Sequence, residues 1–341
     1  MKQNIGIVTI GRNEGDRLVR CFQSLQQQLE PGMPIVYVDS GSTDGSVARA
    51  QAMGIDVVNL DLSVPFTMAR GRNAGFQHLL THYPDLEFVQ FIDGDCELLP
   101  NWLNTALDFL QAEPQVAIVC GRRRERFPTA SPYNRLADME WHTPVGETTA
   151  CGGDALMRVA VIREVGGYNP PLICGEEPEM CIRVRRLGWR IWRLDADMTL
   201  HDAAMLQFSQ WWKRSIRGGW AVAEGYAQYG QAPEQYMQKE HQSGWLWGLA
   251  IPLVAVGLAW PTHGLSLILL LGYGVLGYKI YQYRVQTYGD APAAARTYAL
   301  YCTLSKVPQM IGQAKYWLHR LQNKPATLIE YKESTPSPSG T

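Results

Sequence analysis

Two carboxylates, one residue apart, close an apolar run in Phe88-Val89-Gln90-Phe91-Ile92-Asp93-Gly94-Asp95-Cys96-Glu97. The run reads as a buried strand of a parallel sheet, so Asp93 and Asp95 fall at its carboxyl end, where open α/β sheets bind ligands. Two hard oxygen donors, with Gly94 letting the backbone turn between them, suit a divalent cation such as Mg²⁺ or Mn²⁺. A loop whose Asp caps the next helix has the same composition, so the tripeptide alone does not decide. More polar groups gather at the same edge. Strand one ends in Thr9-Ile10-Gly11-Arg12-Asn13-Glu14, strand two in Asp39, and a helix opens with Ala69-Arg70-Gly71-Arg72-Asn73-Ala74-Gly75. Such a crevice can grip a nucleotide: carboxylates accept from a base and ribose hydroxyls, arginine pairs with phosphate, and a metal bridges a pyrophosphate.

The elements that must position these groups follow from periodicity. Residues 4–10, 34–38, 55–60, 88–92 and 116–120 read as strands; 15–29 and 68–82 read as helices, with further helices after Thr43 or Asp44 and after Pro100. Short connections between alternating strands and helices predict a doubly wound, mostly parallel α/β sheet over residues 1–120. Arg122, Arg123, Arg124 and Arg126 follow, as a solvated face or a phosphate contact. Residues 121–205 mix Gly-rich turns, helices at 159–165 and 177–187, and short strands at 189–194 and 198–200. Within a connector at 206–243, residues 208–229 read as a helix whose Trp211, Trp212 and Trp220 line an acceptor path, sit at the membrane face or pack in a core.

Composition then changes. From Trp245 to Tyr278 there is no acidic or basic residue. Two apolar runs, 245–260 and 265–278, flank Pro261-Thr262-His263-Gly264, which predicts a two-helix membrane hairpin over 244–284. Basic flanks (Lys213, Arg214, Arg217 and Lys239 before; Arg284, Arg296, Lys306 and Lys315 after) put the catalytic part on the cytoplasmic side. The competing reading is a buried hairpin in a soluble domain. Residues 291–322 carry an amphipathic pattern, expected to lie in the membrane interface with a kink at Pro308. Residues 323–341 form a tail, disordered at its Ser- and Pro-rich end. The chain of 341 residues carries 31 basic and 32 acidic side chains, which disfavours a nucleic-acid partner. Seven cysteines without a C-x-x-C pair suggest reduced thiols, and the N-terminus does not read as a signal peptide. Gly272-Tyr273-Gly274-Val275-Leu276-Gly277 fits a dinucleotide fingerprint only in letters, since no strand precedes it.

The succession Thr-Ile-Gly-Arg-Asn-Glu, Val-Asp-Ser-Gly-Ser-Thr-Asp-Gly-Ser, Ala-Arg-Gly-Arg-Asn-Ala-Gly and Ile-Asp-Gly-Asp-Cys-Glu resembles glycosyltransferase family 2. The likeness continues through Gly153-Asp154-Ala155-Leu156-Met157-Arg158 and Val165-Gly166-Gly167-Tyr168 to the stretch from Gly175-Glu176-Glu177 to Trp189. It covers residues 4–202 and implies an A-type glycosyltransferase, Rossmann-like fold with a C-terminal membrane-associated helical region. It also implies inverting, metal-dependent transfer from a UDP- or GDP-sugar to a saccharide or lipid-linked acceptor. On this resemblance Thr9, Asn13, Glu14, Asp39, Arg72 and Asp93 contact the nucleotide, and Asp95 binds the metal. Glu177, after Glu176, takes the place of the catalytic Asp of a Glu-Asp pair, with a longer side chain. His201 resembles a position that completes the metal shell in some members. Gly11-Arg12 stand where the family often has a small residue and an aromatic. Two other classes compete: a sugar-nucleotide nucleotidyltransferase, for which Gly11-Arg12-Asn13-Glu14-Gly15 is a poor phosphate loop, and a non-catalytic membrane scaffold of the same fold.

Overall fold

The run Ile5-Gly6-Ile7-Val8-Thr9-Ile10 has no polar face to offer water, and every one of these residues is buried in the strand it forms, β1 (Ile5–Gly11). The computed structural model describes residues 4–29, 32–324 and 329. The tail expected beyond residue 324 otherwise lies outside the described residues. After β1 come α1 (Asp16–Gln28), β2 (Ile35–Asp39), α2 (Ser46–Ala52), β3 (Asp56–Asn59), α3 (Met68–His82) and β4 (Phe88–Asp93). The strands lie in the order β3-β2-β1-β4, all parallel. Gly75 lets α3 press on the sheet, because a Cβ there would sit 2.5 Å from Val8 Cγ1. The one polar side chain inside β4, Gln90, is fully buried and accepts the indole N–H of Trp102 at 2.9 Å.

Beyond β4 the chain departs from a purely parallel sheet. It continues through β5 (Cys96–Leu98), α4 (Trp102–Ala112), β6 (Val116–Glu125), α5 (Pro132–Glu140), β7 (Gly146–Glu147), β8 (Ala155–Arg158), α6 (Val159–Glu164), α7 (Glu176–Arg186) and β9 (Arg190–His201). β8 wedges antiparallel between β4 and β6, β9 lies parallel to β6, and β5 and β7 pair antiparallel with β9. Two short strands expected at 189–194 and 198–200 are one, β9. Asp195 and Asp197 look like a turn in sequence, but register shifts opposite Cys120 to Arg123 let the strand bend through them. Gly121 permits that approach, since a Cβ there would lie 2.6 Å from the carbonyl oxygen of Ala196. β6 likewise runs on past Cys120 and carries its arginines into the sheet.

The chain divides into two units, one ending at Ala204 and one beginning at Met205. The second is helical. α8 (Phe208–Tyr229) leads to α9 (Gln238–Trp245), a π turn at Leu246–Ala250, and α10 (Ile251–Gly257). The wide turn has a cause: Pro252 has no N–H for the carbonyl of Gly248, and Ile251 bonds back to Leu246 instead. A 3₁₀ turn at Leu265–Leu270 then opens α11 (Leu271–Tyr288), followed by α12 (Pro292–Leu304) and α13 (Lys306–Leu321). Residues 291–322 are thus two helices. Their break falls at Ser305 because Pro308 can sit only in the first turn of a new helix. The face of α13 that packs on α8 carries Pro308, Gly312 and Tyr316, whereas the apolar residues of the sequence pattern stay outward: Leu318 is 52% exposed. Gly219 and Gly312 let the two backbones meet: a Cβ on either would lie 2.0 Å from a carbonyl oxygen of the other helix. Trp211 and Trp220 are buried, edge-on to Tyr301 and Tyr316 at 5.1 and 5.4 Å, so they belong to this core.

The hairpin arms touch through the Ser266 hydroxyl, which donates to the Ala255 carbonyl at 2.6 Å. Tyr273 also packs edge-on against Trp247 at 5.3 Å. Many of the remaining apolar side chains are outward: Leu253 is 64%, Val256 67% and Trp260 92% exposed. Among the described residues one helical segment, Leu265–Tyr288, is long and apolar enough to cross a membrane, where the sequence suggested two.

On α8, burial pushes the Glu224 carboxyl up to about 7, against a single hydrogen bond from the Trp220 indole at 3.1 Å. A raised carboxyl favours the folded state in its protonated form, so this contribution is complete below about 4.5, the ordinary value, and is lost as pH rises through about 7. Glu224→Gln should therefore raise the melting temperature at pH 8 and leave it unchanged at pH 4. We expect a gain of about 2 kcal/mol at pH 8, after discounting for the solvent the carboxyl still meets.

Candidate functional site

Register fixes the first part of the site. Ile10 pairs with Asp93 and Gly11 with Asp39, so the carboxyl ends of β1, β2 and β4 lie side by side. Asp39 Oδ2 accepts the N–H groups of Gly41 and Ser42, at 2.9 and 2.8 Å, and its Oδ1 accepts the Tyr37 hydroxyl. Asn13 ties the first loop to the second, donating its N–H to the Ser42 hydroxyl and accepting the Thr43 N–H at 2.7 Å. Glu14 pairs with Arg17 at 2.9 Å. The side chain of Thr9 is not brought to this edge: it is fully buried in β1 beside Cys21.

Arg72 is a buried strut and not an open phosphate contact. Its guanidinium is bonded to Asp93 Oδ1 at 2.7 Å and to Glu176 Oε1 at 2.6 Å, with 2% of the side chain exposed. One guanidinium thus joins the end of β4 to the start of α7. A second, on Arg123, spans Asp93 at 3.2 Å and Asp154 at 2.8 Å. Asp154 is fully buried, accepting the Asp93 N–H at 3.0 Å and the Thr199 hydroxyl at 2.8 Å. Burial alone would raise the Asp93 carboxyl; Arg72 and Arg123 outweigh it and hold the group below the usual range. Arg72→Met should leave Asp93 and Glu176 buried without a shared counter-charge. The expected loss is about 3–5 kcal/mol of stability by thermal or urea denaturation; a loss under about 1 kcal/mol, the scale of an exposed pair, would deny it this role.

β5 and β9 build the second part. Cys96 pairs with His201 in register, which brings His201 beside Asp95. His201 Nε2 lies 3.2 Å from Asp95 Oδ2, with both residues buried. The ring is packed edge-on against Trp141 at 4.7 Å, and its Nδ1 lies 3.6 Å from Glu125 Oε2. Asp95, Cys96 and His201 offer ligand atoms within 4.8 Å of one another. Burial and the carboxylate of Asp154 push the Cys96 thiol up in the metal-free protein. Asp95 and His201 offer one carboxylate oxygen and one imidazole nitrogen to a divalent cation. Asp93, Asp154 and Glu176 meet the guanidinium groups of Arg72 and Arg123, and Asp95 meets His201.

Glu177 opens α7 beside Glu176. Its Oε1 accepts the Cys151 N–H at 2.6 Å and the Cys181 thiol at 3.0 Å. Burial pushes the Cys181 thiol up to about 11, so it donates as S–H at neutral pH. Cys151 heads the segment to Gly153, where a Cβ would lie within 3.2 Å of Arg72, Asp93 and Arg123 side-chain atoms; Glu177 is therefore braced by the segment that lines the acidic centre. Sequence reasoning did not assign Arg123, Asp154 or Glu125 to the site. Asp154 stood within a quoted motif, and Arg123 within an arginine run whose members all face carboxylates: Arg122 and Arg124 meet Asp138, and Arg126 meets Glu97.

The sheet with its flanking helices and these converging strand ends is the A-type glycosyltransferase fold. Residues 6–166 match the model of glycosyl transferase family 2. A mannosyltransferase from Pyrobaculum calidifontis, solved with GDP-Man and Mn²⁺, superposes with a TM-score of 0.63 over 93% of this chain and 88% of its own, at 16% identity. In sequence, the pre-mycofactocin glycosyltransferase of Mycobacterium tuberculosis is 24% identical over 237 residues, 65% of this chain and 47% of its own length. The succinoglycan biosynthesis protein ExoA of Rhizobium meliloti is 26% identical over 200 residues, 54% of this chain and 58% of its own. The chain thus spans about half the length of these sequence relatives.

Proposed function

We propose that this protein is an inverting glycosyltransferase that moves a sugar from a nucleoside diphosphate donor to an acceptor hydroxyl with the help of Mn²⁺ or Mg²⁺. The observation that carries the reading is the junction at Arg72: one guanidinium holds the metal-side carboxylate pair and the α7 acidic pair together, though they lie far apart in sequence. Asp95 and His201 hold the cation, which when bound neutralises charge on the departing diphosphate. Asp39 and Asp93 lie at the strand ends where the nucleoside binds, with Asn13 and Glu14 on the loop beside them.

Glu177 serves as the base. Glu176 spends its charge on Arg72, whereas Glu177 meets only neutral donors. Among the described residues both of its contacts fall on Oε1, so Oε2 is the oxygen for an acceptor hydroxyl. It takes the hydroxyl proton as the oxygen attacks the anomeric carbon from the face opposite the leaving group. The outward apolar arms around Trp260 suit a lipid bilayer, with the catalytic unit on the cytoplasmic side and a lipid-linked or polysaccharide acceptor. The GDP-Man and Mn²⁺ of the Pyrobaculum enzyme support the donor class.

The test is a panel of UDP- and GDP-sugars incubated with the protein in lipid nanodiscs, scored for release of the nucleoside diphosphate with Mn²⁺ and with EDTA. Release from at least one donor, abolished by EDTA, is expected. Metal-independent release, or binding without release across the panel, would overturn the reading.

A further inference from the structure

Glu125 is a carboxylate with no exposed side-chain surface. Its Oε1 accepts the Phe127 N–H at 3.1 Å and the Asn134 amide at 3.2 Å, and its Oε2 accepts the Ala203 N–H at 3.1 Å. These are neutral donors, and neutral donors do not by themselves call for a full buried charge, which is costly to desolvate. The ring that faces it is the imidazole of His201. Glu125 is its register partner across β6 and β9, with Oε2 at 3.6 Å from Nδ1. The ring lies between two carboxylates, Asp95 on the Nε2 side and Glu125 on the Nδ1 side, and Trp141 packs edge-on against it.

We propose that Glu125 is a positioning residue for the metal site: it holds the proton of His201 on Nδ1, so that Nε2 keeps its lone pair toward Asp95 and a divalent cation. The proposal rests on the metal reading given above. A ligating histidine whose other nitrogen faces a carboxylate is fixed in tautomer and ring orientation, and made more basic. The three donors that grip Glu125 keep that carboxylate from turning away. In Glu125→Gln one oxygen becomes an N–H₂ group that meets a donor on whichever side it points, so the tautomer is no longer dictated.

Mn²⁺ binding to the intact protein, followed by loss of the free-ion electron paramagnetic resonance signal, tests this without reference to turnover. Four proteins are needed: the wild type, Glu125→Gln, His201→Ala and the double variant, each checked by its melting curve. The expectation is an affinity about 10-fold lower or worse in Glu125→Gln, with no further loss when Glu125→Gln is added to His201→Ala. Equal affinity in Glu125→Gln and wild type would overturn the proposal. So would the same loss in both backgrounds, since Glu125 would then act on the fold and not through His201. If the wild type itself binds no Mn²⁺, the metal reading fails first, and that result is distinct from either of the others.

Discussion

Asp95→Ala is expected to abolish metal-stimulated transfer, lowering the rate at saturating Mn²⁺ by about 1,000-fold, the scale of several kcal/mol of charge stabilisation. The fold should survive. The Asp95 carbonyl accepts the Asp202 N–H at 3.1 Å, and alanine keeps that bond. Asp93, whose carboxylate is gripped by Arg72 and Arg123, is untouched by the change. Initial rates against Mn²⁺ concentration, with direct Mn²⁺ binding beside them, measure the effect. A variant with undiminished stimulation would take Asp95 out of the metal site.

Glu177→Gln is expected to lower turnover by about 100- to 10,000-fold, the range that a positioned base contributes. Affinity for the nucleoside diphosphate should be unchanged. The amide oxygen can still accept the Cys151 N–H, so the segment leading to Gly153 keeps its brace; what is lost is the ability to take a proton. Equilibrium binding of the diphosphate and single-turnover transfer separate the two effects. Full turnover would move the role elsewhere, and Glu176 is the poorer alternative because Arg72 neutralises it at 2.6 Å.

The parallel half of the fold is legible in the sequence because most of its strands are largely apolar runs with a polar stop. Phe88 to Ile92 is the plainest, and the structure extends it only to Asp93. The second half is less legible. β9 carries Asp195 and Asp197 within a single strand, and nothing local shows that a bulge will absorb them. β5 is only Cys96–Leu98 and exists because β9 comes to pair with it. At the candidate site the acids at 93 and 95 stand out by type and spacing, and those at 176 and 177 by the family resemblance. Their connections do not, because Arg72, Arg123 and Asp154 act across the sheet: Arg72 reaches Glu176 through 104 residues of chain. Burial converts Arg72 from the phosphate contact that its motif suggests into an internal tie. Likewise the apolar pattern of α13 does not mark the face that α8 covers: the two helices meet at Gly219 and Gly312, and Val307 and Leu318 of the pattern stay exposed.

The central claim is that one carboxylate, Glu177, and a leaving group held at Asp95 and His201 act from opposite faces of one sugar. The anomeric configuration of the product formed from an α-linked nucleoside diphosphate sugar, read by proton NMR before any equilibration, tests it most directly. Single displacement predicts a β-linked product. An α-linked product would mean that the sugar is displaced twice, and a lone base on α7 would not account for it.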